Sequence, residues 1–542
     1  LQAGLAVVYF LHQSAFRPLA KKKGRIGMDY SRQISAGNRK PKAVIAGGGL
    51  AGLACAKRLV DAGFQIELVE AEPQLGGRTA SWIDEDGQQV ESGVHTFFGV
   101  YSRLIQLLNE VGVNDDLMVS WDDKVGFLQP GGDLSVFATD PVRDLAGVLG
   151  GVLGNNRLIG PLSKLSLGLT FINGLLQRYE YEERSVARLA RDGALFRPAY
   201  ERLLRPLSRG LSFCEPEELS AYVLLTLLQH GIFNPFNIRA GTFRGGMTEV
   251  MINPLARWLE NRGATLRTSA KVSAIHHQAG QANGQVSSFE LENGEMLTGD
   301  VYISALPLEA IKPMVPASLQ ELTYFRHLQE LETVPATAVQ LWFDRQFMKR
   351  NEFIYLSGSP LVVFQDESRI TFPSAGSRIS GQITARYTDN YSDRQLVDLA
   401  LEELNRYLPA SVGAQVTKSV VVRHQAIAIK PGVAIKRPRQ ASPVSNFFLA
   451  GDYTRQNWFT TMEGATRSGE MAAQAILRYL NYQAAERPGI IVTDVSPTSI
   501  LSGVGANLVK KFLLPASTTP PPKRRTLKVH REVEVEEEPD LP

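Results

Sequence analysis

The apolar positions change rhythm three times near the front of the chain. Ala43-Val44-Ile45-Ala46 is a continuous apolar run that stops at Gly47-Gly48-Gly49-Leu50-Ala51-Gly52, the pattern of a strand buried on both faces followed by a glycine turn. Leu50 to Ala62 then repeats at helical spacing and ends at Gly63, after which Gln65-Ile66-Glu67-Leu68-Val69-Glu70 alternates as a second strand. Together they predict a β-α-β unit. Apolar runs return at Val301 to Ala305 and at Phe447 to Ala450. Helical spacing covers 100–111, 199–210, 217–229, 248–262 and 394–407, and strands are expected near 335–343 and 415–423, with no internal repeat.

A different pattern fills 145–176. Leu145 to Asn156, Leu158 to Ser163 and Leu165 to Leu176 carry no charge, and Arg157 and Lys164 interrupt them. No uninterrupted run reaches the roughly 20 residues that span a bilayer. Two readings stay open: a helix pair lying in a membrane interface, with Arg157 and Lys164 snorkelling to headgroups, or a pair of core helices.

The two ends read differently from the body. The first methionine is Met28, behind the basic run Lys21, Lys22, Lys23 and Arg25, and residues 1–27 are set aside from the fold. The apolar stretch Leu5 to Leu11 is short and has no basic residue before it, so a secretory signal is not expected. From about residue 485 onward, prolines 520–522 and segregated charge predict a flexible tail.

Composition narrows the function classes. At 542 residues, 44% hydrophobic and 21% charged, the chain can bury a sizeable core, which excludes disordered and fibrous classes. A net charge of +3, from 58 basic and 55 acidic residues, gives no footing for nucleic acid. Two cysteines, Cys55 and Cys214, cannot make a disulfide framework, and the scattered histidines offer no metal-ligand spacing, so no metal site is expected.

The chemistry begins at the glycines. Gly47, Gly49 and Gly52 form G-x-G-x-x-G at a strand-to-helix turn, where missing side chains let backbone N–H groups and the helix start approach a pyrophosphate. Glu70 ends the second strand, placed to bind ribose hydroxyls. Gly76-Gly77-Arg78 adds a second close-approach turn and a guanidinium suited to phosphate. No Ser/His/Asp, Cys/His or paired-carboxylate constellation stands out, so no catalytic residue is named.

Glu91-Ser92-Gly93-Val94-His95-Thr96-Phe97-Phe98-Gly99-Val100-Tyr101 resembles the E-x-G-x-H-x-F-F-G-x-Y segment of the plant- and cyanobacterial-type carotene desaturases, within the flavin amine oxidase superfamily. Phe448-Leu449-Ala450-Gly451-Asp452-Tyr453-Thr454-Arg455-Gln456, Met462-Glu463-Gly464-Ala465 and Ser468-Gly469 resemble the late motifs of the same family, and the likeness covers about 40–480. Thr461 stands where the family has Ser. Val250 stands where phytoene desaturases carry Arg, as ζ-carotene desaturases tolerate, whereas Leu341 to Arg345 is more similar to phytoene desaturases.

The resemblance implies an α/β fold: a Rossmann-like FAD-binding domain interleaved with an α+β substrate domain and a helical membrane-facing region. The FAD-binding parts would be 41–125, 246–310 and 426–483, the helical substrate and membrane region 126–245, and the substrate sheet 311–425, with a disordered leader 1–40 and the charged tail 484–542. It implies that Gly47, Gly49, Gly52, Glu70, Ala71, Gly77, Arg78, His95, Thr96, Tyr101, Asp452 and Met462 line FAD. The expected reaction removes hydrogen from adjacent allylic carbons of a carotene such as phytoene or ζ-carotene and passes the electrons to a membrane quinone. The expected place is peripheral, on the cytoplasmic side of a thylakoid or plasma membrane, with a homo-oligomer left open. Alternatives are an oxidoreductase of another isoprenoid such as a squalene derivative, an amine oxidase, or a non-enzymatic flavin-binding scaffold.

Overall fold

The computed structural model describes residues 39–114, 118–122, 124–138, 157–233, 239–280, 283–349 and 353–480. The leader, the charged tail and residues 145–156 of the interrupted apolar run lie outside these. The expected β-α-β unit is strand β1 (Lys42–Ala46), helix α1 (Leu50–Asp61) and strand β2 (Gln65–Val69). Strands β3 (Thr265–Arg267), β4 (Val301–Ser304) and β5 (Phe447–Leu449) complete a five-stranded parallel sheet in the order β3-β2-β1-β4-β5.

Val44, Ile45, Leu68, Val301, Ile303 and Leu449 are fully enclosed in this sheet. Burial on both faces explains why these strands read as unbroken apolar runs. The strand order reverses at β1, with β2 on one side and β4 on the other. The carboxyl end of β1 is therefore the switch point, the place where open α/β sheets hold ligands. Helix α4 (Met462–Tyr479) packs on α1 so closely that a Cβ on Gly469 would lie 2.1 Å from the Ala51 carbonyl oxygen.

A second, seven-stranded sheet runs in the order Val416–Ile427, Thr333–Phe343, Arg378–Ile383, Leu361–Asp366, Phe353–Leu356, Lys124–Leu128, Leu134–Ala138. All its neighbours are antiparallel except Phe353–Leu356 with Lys124–Leu128. The strands expected near 335–343 and 415–423 are its long pair. The region 126–245, read as helical, needs correction at its start: Lys124–Leu128 and Leu134–Ala138 form a hairpin that extends this sheet. Two short strands meeting at Gly131-Gly132 leave only a weak periodic signal.

The helices expected at 199–210 and 248–262 each contain a wide π turn, Tyr200–Leu204 and Thr248–Ile252, before Arg205–Ser212 and Asn253–Glu260. Pro206 and Pro254 follow those turns. A proline cannot donate to the carbonyl four residues back and its ring presses on it, and the wider turn removes the clash. Helix α2 (Ser102–Glu110) follows the His95 to Tyr101 segment, and Ala221–Phe233 takes the place of the helix expected at 217–229.

Helix α3 (Pro161–Leu176) is inverted relative to an ordinary surface helix. Ser163, Ser166, Thr170 and Gly174 face the protein, and a Cβ on Gly174 would lie 2.8 Å from Leu189. Leu162, Leu165, Leu169, Ile172 and Leu176, at helical spacing, are between 41% and 69% exposed. Lys164, expected to snorkel, is instead on the inward side and 8% exposed. No helix among the described residues is long and apolar enough to cross a membrane.

Candidate active site

The glycine turn has the geometry the sequence calls for. Gly47 adopts φ +108°, and its N–H donates to the Val69 carbonyl at 2.8 Å, fixing the turn against β2. A Cβ on Gly52 would fall 2.0 Å from the Gly47 carbonyl oxygen, so this glycine lets the helix meet the turn. Gly49 is different. A Cβ there meets only the Gly76 oxygen, at 3.9 Å, so the fold itself has room for a side chain and the cradle in front of α1 is open. Gly77, at φ +55°, faces Gly49 across that opening.

Glu70 sits where β2 ends. Its carboxylate accepts the Gly48 N–H at 2.6 Å and the Glu72 N–H at 3.0 Å. One carboxylate thus ties the glycine turn to the end of β2, and Ala71 beside it is exposed. Arg78 approaches from the next turn and places Nη2 2.6 Å from Asp452 Oδ1. The Asp452 charge holds the Arg78 guanidinium above its ordinary value against the cost of burial. The loop bearing Asp452 is itself stitched by one buried guanidinium, since Arg437 donates to the carbonyls of Asp452, Tyr453 and Gln456.

His95 and Thr96 are half-buried, and His95 lies near Arg78. The His95 Nδ1 lies 3.0 Å from the Gly93 carbonyl, which can only accept, so Nδ1 carries the proton. Burial pushes His95 down to about 4, against the help of that carbonyl and aided by the charges of His424 and Arg78, so its ring is neutral at physiological pH. Tyr101 is buried, its phenol raised by burial and by Glu463. Its ring meets Trp458 edge-on at 5.7 Å, and Trp458 stacks on His230 at 4.2 Å.

Met462 opens α4. Thr461 caps the helix, its hydroxyl accepting the Gly464 N–H at 3.0 Å and its carbonyl accepting that of Ala465. The Met462 and Glu463 N–H groups remain at the helix start, with its positive dipole end behind them. The structure therefore brings Gly47, Gly49, Gly52, Glu70, Gly77, Arg78, His95, Tyr101, Asp452 and Met462 around the carboxyl end of β1 and the start of α4.

Three groups at the site carry no signal in the sequence pattern. His424, from the long strand Val416–Ile427, lies near Arg78 and His95 and has a buried Nε2 with no hydrogen-bond partner among the described residues. Glu463, fully buried, accepts the Arg103 and Leu104 N–H groups at the start of α2, where Tyr101 offers no side-chain cap. His230 reaches Trp458 from a distant helix. Only tertiary contact reveals such roles.

The residues fit FAD: an open glycine cradle at a helix start suits a pyrophosphate, the Glu70 carboxylate a ribose, and the α4 start an electron-rich ring edge. Among the described residues no group of three or more His, Cys, Asp or Glu is placed to hold a metal. Cys55 and Cys214 are both buried, and burial pushes the Cys214 thiol up to about 11.

A parallel sheet with this cradle, joined to a second sheet and a helix start facing the same crevice, defines an FAD-dependent oxidoreductase. The family model for flavin containing amine oxidoreductases matches residues 50–477, and the chain belongs to that family. It is 30% identical to 15-cis-phytoene desaturase of Solanum lycopersicum over 457 residues, 80% of this chain and 77% of that protein. It is 29% identical to the zeta-carotene desaturase of Synechocystis sp., covering 80% of this chain and 97% of that one. Among solved structures it resembles an oxidoreductase from Methanosarcina mazei, with TM-score 0.62 at 15% identity over 80% of this chain and 99% of that one. Putrescine oxidase gives TM-score 0.61 at 14% identity over 81% and 99%. These distant likenesses concern the fold.

Proposed function

We propose that the protein is an FAD-dependent carotene desaturase acting on phytoene or ζ-carotene at a membrane surface, with a membrane quinone as electron acceptor. Bound at the cradle, FAD supplies the two-electron acceptor for removing hydrogen from adjacent allylic carbons. The chain's own residues bind and orient it: Gly49 and Gly77 leave room for the pyrophosphate, Glu70 takes the ribose, and the α4 start offers N–H groups to developing negative charge.

The observation that carries this reading is the outward apolar face of α3. A small amine dissolves in water, and its capture requires no row of five leucine-like side chains turned outward. A carotene resides in the bilayer. Five half-exposed side chains leaving water contribute on the order of 5 kcal/mol, enough for reversible docking and far from a spanning anchor. The same face supports peripheral placement on a membrane, which this reading takes to be a thylakoid or plasma membrane.

The test is turnover in liposomes that carry phytoene or ζ-carotene together with a plastoquinone analogue. Red-shifted absorbance of a lengthened polyene, dependent on the quinone and not on NAD, supports the reading. Conversion of a squalene derivative or an amine, with neither carotene touched, overturns it.

A further inference from the structure

A cleft of about 330 Å³ is lined by Ala187, Ala190, Arg191, Leu195, Arg197, Tyr200 and Glu217, in the segment that α3 packs on. The loop that forms its rim is fastened to α3. The Thr170 hydroxyl donates to the Gly193 carbonyl at 3.0 Å, and the Phe196 N–H donates to the Ser166 hydroxyl at 3.3 Å. Phe196, next in sequence to Arg197, is 46% exposed, so an apolar ring accompanies the guanidinium at the rim.

The charge in this cleft is unbalanced. Its one carboxylate, Glu217, is already occupied: Arg205 Nη2 lies 3.0 Å from Oε1, and the Tyr200 hydroxyl donates to the same oxygen at 2.8 Å. The neighbouring Arg188 is paired with Asp192 at 2.7 Å. Arg191 and Arg197 are exposed, and their guanidiniums make no hydrogen bond or ion pair within the described residues. Two free guanidiniums thus face an open cleft whose floor, Ala187, Ala190 and Leu195, is apolar.

That combination has a specific chemistry. Guanidiniums bind phosphate oxygens through planar forks, and an apolar floor accepts the carbon backbone to which the phosphate is attached. With the α3 leucines in the acyl boundary, the loop that α3 holds through Ser166 and Thr170 is carried to the bilayer surface, where anionic lipids concentrate. We infer that this cleft is a binding site for the phosphodiester headgroup of an anionic lipid, held by Arg191 and Arg197. The inference rests on the membrane-surface reading above and adds to it a choice of lipid and an orientation on the bilayer.

Flotation of the purified flavoprotein on vesicles of phosphatidylcholine alone, and of phosphatidylcholine with phosphatidylglycerol, tests it. Wild type is expected to favour the anionic vesicles by roughly 30-fold, about one lysine- or arginine-sized contribution from each residue. Arg191→Gln with Arg197→Gln removes that preference, binds neutral vesicles as wild type does, and melts at the same temperature, because neither guanidinium holds the fold. Arg188→Gln keeps the preference. The inference is overturned if the double variant retains the preference, or if Arg188→Gln loses as much. Inorganic phosphate that stabilises wild type and not the double variant, with vesicle preference unchanged between them, also overturns it in favour of a soluble phosphate. Leu165→Glu with Leu169→Glu separates the two readings: it abolishes flotation on both vesicle types if α3 docks, and floating unchanged contradicts the docking face itself while leaving the arginine result to be judged by its own comparison.

Discussion

Arg78 and Asp452 stand 374 positions apart in the chain, and their side chains meet at 2.6 Å. The pair joins the turn after β2 to the loop after β5, on either side of the switch point at β1. Arg78→Ala is expected to leave Asp452 with no partner for its charge in a buried loop, because Arg437 holds only the main-chain carbonyl there. Flavin content of the purified protein should fall severalfold, while Arg78→Lys should retain more flavin than Arg78→Ala. Equal flavin in all three would remove Arg78 from the site.

The glycines separate ligand from fold. Gly49→Val should give a folded protein without flavin, since the fold leaves room for the new side chain and the pyrophosphate path does not. Gly52→Val should fail to fold, since its Cβ meets the Gly47 carbonyl at 2.0 Å. Far-UV circular dichroism with the flavin-to-protein absorbance ratio distinguishes these outcomes. A Gly49→Val protein with full flavin would contradict the cradle.

Glu463 explains a second part of the geometry. Its carboxylate caps α2 and pairs with Arg467 at 2.7 Å. Burial raises its pKa despite Arg467 and the two N–H groups. Glu463→Ala leaves the two backbone N–H groups without their acceptor and Arg467 without its counter-charge, and should lose about 3 kcal/mol in urea unfolding. Glu463→Gln keeps an acceptor for the backbone N–H groups and should recover part of the loss. A loss under 1 kcal/mol for Ala would show that α2 does not depend on this cap.

The histidines set a pH dependence. Burial pushes both His95 and His230 down to about 4. The unfolded chain protonates them near their ordinary value, about 6.5, so the unfolded state binds more protons between about 4 and 6.5 and stability falls as pH drops through that window. Replacing His230 by Phe should reduce the slope of stability against pH by about one proton there. An unchanged slope between pH 6.5 and 4.5 would mean that His230 is not held neutral.

Parts of this arrangement are legible in the chain itself. The β-α-β unit and the glycine fingerprint can be read because a strand buried on both faces leaves an unbroken apolar run, and because only glycine fits where Gly47 and Gly52 stand. Asp452 and Met462 were reachable only through family likeness, since nothing in their local spacing marks a cofactor. The hairpin at 124–138, the cap at Glu463 and the stacking of His230 on Trp458 were not legible. Each depends on a partner hundreds of positions away or on strands too short to show a period. The repeat of leucines in α3 was plain, but whether it faced in or out was decided by Ser163, Ser166, Thr170 and Gly174, whose small size lets the helix pack with its polar side inward.

Electron transfer from a carotene to the flavin is read out by anaerobic mixing of the purified flavoprotein with phytoene, ζ-carotene, a squalene derivative and a panel of amines, each in detergent, while flavin absorbance is followed. A carotene desaturase bleaches with phytoene or ζ-carotene and keeps a stable oxidised spectrum with the amines and the squalene derivative. Bleaching by an amine or the squalene derivative with both carotenes inert, or an oxidised flavin throughout, would contradict electron transfer from a carotene.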